Sequence, residues 1–166
     1  MTEMDIQFVP LTPADGPAVI DLFNHYVRHS FAAFPEDPLP YPFFDRFLEA
    51  THGLPTVAAK DSGGRLLGFA LLRPHIPWPT SSHVAEITYF VAPDSLRKGI
   101  GSKMLADLET RGQAQGIRTI LAAISSLNGM SLDFHRKHGF QEVGRFRSVV
   151  IKRGTPFDTV WMQKTL

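Results

Sequence analysis

The chain has 166 residues, a formal net charge of +1 and 43% hydrophobic residues, which suits one domain that buries its own core. The near-neutral charge argues against nucleic-acid binding, which needs a basic face. The absence of cysteine excludes disulfides, thiolate zinc sites and a cysteine nucleophile, and the histidines show no metal-ligand spacing. No apolar run reaches the length of a membrane span. The acidic N-terminus lacks a signal-peptide core, so we expect a cytoplasmic protein. From the residue types and their spacing we expect no bound metal.

The hydrophobic pattern predicts helices and strands that alternate along the chain. In chain order, the predicted elements are a strand at 7–9, a helix from 12, an irregular proline-rich segment at 31–42, a helix at 43–51, strands at 56–60 and 66–72, a loop at 74–79, a strand at 83–91, a helix at 102–113, a strand at 119–124, a helix at 128–137, and strands at 140–150 and 158–163. This order predicts an α/β (α+β) fold, in which about seven strands form a mixed sheet flanked by about four helices.

A glycine turn, residues 98–101 (Lys-Gly-Ile-Gly), joins the strand that ends at Val91 to the helix predicted from Ser102. Its glycines let the backbone approach a ligand closely. The first N–H groups of the helix lack helical acceptors, and the helix dipole favours an anion there. The spacing matches neither a Walker loop nor a dinucleotide fingerprint. The turn therefore predicts a pyrophosphate site, with an ordinary strand-to-helix turn as the alternative.

A second pattern lies in the helix predicted at 128–137. Asn128, Ser131 and His135 are spaced so that one helix face presents all three. Gly139 and Phe140 then end the helix and begin a strand. Outside such a context, a histidine at this position is as easily a packing or surface residue.

Together the two patterns resemble the acetyl-CoA-binding motifs of the GNAT N-acetyltransferases. Residues 85–91 (Ala-Glu-Ile-Thr-Tyr-Phe-Val), the helix with Asn128 and His135, and residues 152–158 (Lys-Arg-Gly-Thr-Pro-Phe-Asp) are similar to the phosphinothricin and methionine sulfone acetyltransferase branch. The resemblance covers nearly the whole chain. It implies a GNAT-like fold in one domain over residues 1–166, a homodimer, and acetyl-CoA as co-substrate. The residues that it implies for acetyl-CoA binding are Phe90, Val91, Arg97, Lys98, Gly99, Ile100, Gly101, Ser102, Asn128 and Ser131.

The reaction of such enzymes needs a base, because an amine attacks a thioester only when it is unprotonated. Glu86 matches the strand carboxylate of the branch and is the predicted base. Strand alternation places it on one face with Thr88 and Phe90, a mostly apolar setting, although a solvent-facing glutamate is the alternative. The tetrahedral oxyanion needs a donor, and the resemblance implies that a backbone N–H of this strand, at about Val91, supplies it. The resemblance implies that His135 lies near the CoA thiol and protonates the leaving thiolate.

The acceptor site is predicted from the segment at 31–42 and the loop at 73–79, which are rich in aromatic residues and proline. Phe34, Arg73, His75 and Trp78 are the predicted substrate contacts, with a merely rigid loop as the alternative for the last three. An aromatic, proline-rich site favours a small amine, an amino acid or an analogue. The alternatives are acetylation of protein N-termini, lysines or polyamines, and a non-catalytic acyl-CoA-binding module. The sequence does not identify the acceptor.

Overall fold

The structure is a computed structural model that describes residues 5–166. Its centre is a seven-stranded sheet with the order β1-β2-β3-β4-β5-β7-β6. The strands are β1 (Gln7–Val9), β2 (Thr56–Lys60), β3 (Leu66–Pro74), β4 (Val84–Val91), β5 (Thr119–Ser125), β6 (Gln141–Lys152) and β7 (Thr155–Thr165). β4 and β5 run parallel, and every other neighbouring pair is antiparallel. The predicted mixed sheet is confirmed.

Four α-helices cover the sheet within the described part of the chain. They are α1 (Gly16–His29), α2 (Phe44–Ala50), α3 (Ile100–Ala114) and α4 (Gly129–Lys137). Thr12 begins the first helical segment as predicted, because its backbone N–H and the Asp15 carboxylate close a capping box before α1. None of the helices described over residues 5–166 is long and apolar enough to cross a bilayer.

Strand alternation divides the apolar residues into two cores on opposite faces of the sheet. On one face, Met104 and Leu108 of α3 pack with Ile87 of β4 and Ile120 of β5. On the other face, α1 and α2 pack against residues such as Phe69 of β3. Each fully buried side chain of this size contributes about 1.5–3 kcal/mol. The two cores therefore fix the sheet between the helices.

The last two strands differ from the prediction. β6 continues to Lys152 and β7 begins at Thr155, so the two form one long hairpin with its tip at Arg153 and Gly154. The register between the two strands shifts at a bulge between Phe146 and Val150, where Ser148 has φ of +51°. The longer hairpin brings its tip to the end of α1.

One ladder of the sheet is short, and this positions the site. β4 and β5 pair only between Val84–Glu86 and Thr119–Leu121, whereas β4 stays paired with β3 as far as Val91. Beyond Glu86 the two parallel strands separate. Residues 87–91 and 122–125 border the opening, which we call the gap, and it forms part of a cavity of about 640 Å³.

Candidate active site

The backbone of β4 presents unpaired groups to the gap. Ala92 N–H donates to the Leu67 carbonyl at 2.7 Å. Since hydrogen-bonded and non-hydrogen-bonded pairs alternate along an antiparallel ladder, the even-numbered residues of β4 direct their backbone groups at β3. The N–H groups of Tyr89 and Val91 therefore face the gap. The Val91 carbonyl already accepts from the Tyr26 hydroxyl at 2.5 Å, so at Val91 it is the N–H that is directed at a ligand.

The glycine turn lies at one end of the cavity. Gly99 has φ of +76° and caps α3, whose first hydrogen bond runs from Lys103 N–H to the Gly99 carbonyl at 3.1 Å. The helix begins at Ile100, so the predicted start at Ser102 is wrong by two residues. The left-handed conformation of Gly99 turns the chain sharply enough for the helix to begin at once. The N–H groups that precede Lys103 lack helical acceptors and lie along the cavity.

The side chains around the glycine turn divide into two groups. Arg97, which has a left-handed φ of +61°, lines the cavity together with Ser102, whereas Lys98 lies outside the lining. The Ser102 hydroxyl donates to His138 Nε2 at 2.8 Å, and His138 Nδ1–H donates to the Phe134 carbonyl at 2.8 Å. Ser102 therefore joins the first turn of α3 to the end of α4.

The first turn of α4 borders the same cavity. Asn128 Oδ1 accepts from Ser131 N–H at 3.2 Å and so caps the helix. Asn128 and Ser131 both line the cavity, as do Phe90 and Val91 of β4. All the predicted acetyl-CoA residues except Lys98 thus border one cavity.

His135 is buried, with 3% of its surface exposed, and both ring nitrogens have partners. Nδ1 lies 2.6 Å from the Ser131 carbonyl, which can only accept, so Nδ1 carries the proton. Nε2 then accepts from the Tyr89 hydroxyl at 2.5 Å. Burial lowers the pKa of His135 to about 4, and the hydrogen bond to Ser131 opposes only part of this effect. The imidazole is neutral at physiological pH, and this arrangement argues against His135 as the direct proton donor to a thiolate.

Tyr89 is the site residue that the sequence reasoning missed. Its side chain lies on the α3 and α4 face of β4, where it contacts Phe134 and His135. Burial raises the pKa of the Tyr89 phenol well above its ordinary value, so the hydroxyl keeps its proton and can serve as the donor to His135. Strand alternation predicts that the Tyr89 side chain lies on the other face of β4 from Glu86, and this alternation is the signal by which the sequence could have indicated it.

Glu86 does not lie in the apolar setting that the sequence suggested. Its Oε1 accepts from Arg73 Nη2 at 3.0 Å, and its Oε2 accepts from His75 Nδ1 at 3.1 Å, in a side chain that is 13% exposed. The expectation was wrong because β3 runs two residues further than predicted and places Arg73 directly opposite Glu86. Arg73 lines the cavity, whereas Glu86 lies just beyond Thr88, which does.

The predicted substrate contacts are only partly brought together. Phe34 and Arg73 line the cavity. His75 reaches Glu86 and packs edge-on against Trp161. Trp78 lies outside the cavity with 68% of its surface exposed, since the proline-rich loop carries it away from the end of β3.

Most of the chain is similar in sequence to known acetyltransferases. Residues 19–140 match the model of the Acetyltransferase (GNAT) family. The chain is 32% identical over 157 residues to an L-methionine sulfoximine/L-methionine sulfone acetyltransferase from Pseudomonas aeruginosa, which covers 92% of this chain and 90% of that one. It is 30% identical over 166 residues to a phosphinothricin N-acetyltransferase from Streptomyces coelicolor, with coverage of 98% and 97%.

A solved structure gives the same result for the fold. The phosphinothricin acetyltransferase from Sinorhizobium meliloti, in complex with AcCoA, superposes with a TM-score of 0.91 at 27% identity, over 98% of this chain and 89% of that chain. Sequence and fold agree over nearly the full length, so this protein belongs to the GNAT family and is an N-acetyltransferase that uses acetyl-CoA as its co-substrate.

Proposed function

We propose that this enzyme acetylates the primary amine of a small molecule, an amino acid or an analogue of the phosphinothricin or methionine sulfoximine type, by direct attack in a ternary complex. The observation that supports this most strongly is the position of Arg73. Arg73 lines the same cavity as the gap and Phe34, and a guanidinium suits a carboxylate. The names of the relatives from Pseudomonas aeruginosa and Streptomyces coelicolor point to the same class of acceptor.

The residues of the cavity fit acetyl-CoA, which supplies the thioester carbonyl that the amine attacks. The free N–H groups at the start of α3, together with Arg97, suit a pyrophosphate. The backbone groups of Tyr89 and the side-chain amide of Asn128 suit the amide groups of a pantetheine arm. The Val91 N–H is the donor that we assign to the developing oxyanion.

We assign Glu86 as the base. Its ion pair with Arg73 supports this assignment, because it holds the Glu86 carboxylate next to the residue that we assign to the substrate carboxylate. A guanidinium has five N–H donors, so Arg73 can hold a substrate carboxylate while it still contacts Glu86. The acceptor amine would then lie on the side of Arg73 that faces the gap. Since Glu86 lies beyond the lining, the proton would reach it through a water molecule.

The test is the release of free CoA thiol from acetyl-CoA against a panel of amines. The panel holds methionine sulfone, methionine sulfoximine, phosphinothricin, free amino acids, polyamines and a lysine peptide. Turnover with the amino-acid analogues would support the proposal. Turnover with peptides or polyamines alone would reject the acceptor class, and acetyl-CoA binding without any turnover would favour a non-catalytic binding module.

Two variants test the assigned roles. Arg73→Gln should raise the KM for methionine sulfone and leave the KM for 3-(methylsulfonyl)propylamine unchanged, because that amine is the same molecule without the carboxylate. An equal loss with both amines would remove Arg73 as the carboxylate contact. Glu86→Gln should lower kcat with little change in the affinity for acetyl-CoA, and unchanged activity at every pH would remove Glu86 as base. The homodimer and the cytoplasmic location stay predictions.

A further inference from the structure

The tip of the β6–β7 hairpin contacts the end of α1 through two cationic side chains. Arg153 Nη2 donates to the carbonyls of Val27, at 2.6 Å, and Arg28. Lys152 Nζ donates to the carbonyls of Ser30, at 2.8 Å, and Ala33, at 2.6 Å. The last carbonyls of a helix lack helical donors and carry a partial negative charge, so cations are favourable there. The hairpin therefore caps α1 and also holds the residues that follow it.

Lys152 is fully buried, which is an expensive position for an ammonium group. Burial lowers the pKa of Lys152, with a smaller contribution from the nearby charge of Arg153. Within residues 5–166, no carboxylate lies within ion-pair distance of its ammonium group. A methionine would fill the same space without the cost of desolvation. The charge is therefore best explained by the two carbonyls that it holds in place.

These carbonyls lead directly into one wall of the cavity. Residues 32–35, which we call the acceptor wall, line the cavity and belong to no helix or strand. The Phe34 ring packs edge-on against Phe157 of β7, with the centroids 5.6 Å apart. On the far side of the wall, the Glu36 carboxylate accepts from Arg153 N–H at 3.1 Å. The wall has no backbone ladder of its own, and the hairpin contacts it through Lys152 at Ala33 and through Phe157 at Phe34.

We propose that Lys152 is a positioning residue for acceptor binding: it fixes the acceptor wall, and through the wall it sets the affinity for the amine but not for acetyl-CoA. This inference rests on the proposed function, because it takes the wall as part of the acceptor site. The residues that border the pyrophosphate end of the cavity, such as Gly99 and Ser102, make no hydrogen bond to Lys152 or Arg153 among those described. The two binding events can therefore be separated.

The first experiment compares Lys152→Met with wild type. We expect the KM for the best acceptor amine to rise about tenfold or more, while the Kd of acetyl-CoA changes less than about twofold and kcat at saturation falls little; a tenfold change corresponds to about 1.4 kcal/mol. Arg147→Met removes an exposed cation from the same strand and should leave both constants unchanged. Lys152→Arg, which keeps the charge, should restore part of the affinity for the amine.

A folded Lys152→Met variant with an unchanged KM for the amine would overturn the proposal, and so would an equal loss of affinity for both substrates. If Lys152→Met does not fold, Glu36→Ala removes the carboxylate that accepts from Arg153 N–H at the exposed end of the wall, and this variant should raise only the KM for the amine. Hydrogen exchange separates this proposal from the proposed function. If no amine is acetylated by the wild type, faster exchange of the wall amides in Lys152→Met would still show that Lys152 fixes the wall, and unchanged exchange would reject it.

Discussion

The buried imidazole of His135 gives a prediction about stability that can be worked out from the structure. Replacement by glutamine, His135→Gln, removes the titration while keeping a side chain of similar length. The pKa of a histidine is about 6.5 in an unfolded chain, and burial lowers that of His135 to about 4 in the folded protein. Between these values the unfolded chain binds more protons than the folded one. The contribution of the neutral His135 to the free energy of unfolding is therefore complete above about pH 6.5 and is lost as the pH falls towards 4.

The magnitude follows from the same two values. Each pKa unit corresponds to about 1.4 kcal/mol, so the difference of about 2.5 between 6.5 and 4 is worth about 3 kcal/mol in all. About 1 kcal/mol of this is already lost at pH 5.5, and most of it at pH 4.5. The removal of the hydrogen bond to Tyr89 adds a cost to the variant, but that cost is the same at each pH.

The assay is urea unfolding at pH 7.5, 5.5 and 4.5. The free energy of unfolding of the wild type should fall with acid by about 1 and then about 2–3 kcal/mol more than that of His135→Gln. His29→Gln, which alters an exposed histidine at the end of α1, is the control and should follow the wild type. Parallel pH curves for the wild type and His135→Gln would refute a neutral, buried imidazole.

Three further changes have defined outcomes. Gly99→Ala places a side chain at φ +76° in open space, so strain of about 1–2 kcal/mol should weaken acetyl-CoA binding by titration calorimetry, whereas Gly129→Ala should not. Gly68→Ala sets a Cβ 3.0 Å from a β4 carbonyl oxygen and should lower the free energy of unfolding by about 1–3 kcal/mol; an unchanged Tm would contradict this contact. Tyr89→Phe leaves His135 Nε2 without its donor and should destabilise by about 1–3 kcal/mol in urea unfolding, and equal stability would argue against the pair.

Local patterns were enough to predict the order of elements and the glycine turn before α3. Strands such as β2, predicted and found at Thr56–Lys60, have a strong apolar pattern between clear turn residues. The glycine turn can be recognised from its residue types, because the position of Gly99 needs a residue that tolerates a positive φ. These features depend on neighbours in the sequence, and a sequence shows its neighbours directly.

Apart from the start of α3, the errors concern partners that lie apart in the chain. Alternation gives the face on which Glu86 lies, but the residue opposite to it depends on the register of β3, and that register placed Arg73 there. In the same way, the partner of His135 is set by the packing of α4 on β4. The burial of Lys152 depends on the reach of a hairpin whose strands were predicted too short. Register and burial are properties of the assembled sheet, so the sequence pattern did not contain them.

The short ladder between β4 and β5 gives the sheet an internal edge. A free strand edge on a protein surface is a template for other chains and a risk of aggregation. Here the free edge of β4, next to Tyr89 and Val91, lies between two strands of the same sheet and borders a cavity. A further strand between β4 and β5 would have to lie about 4.8 Å from each of them, whereas a thin chain that carries amide groups needs less width. The fold thereby keeps the binding capacity of an unpaired strand at a position between two strands, away from the outer edges of the sheet.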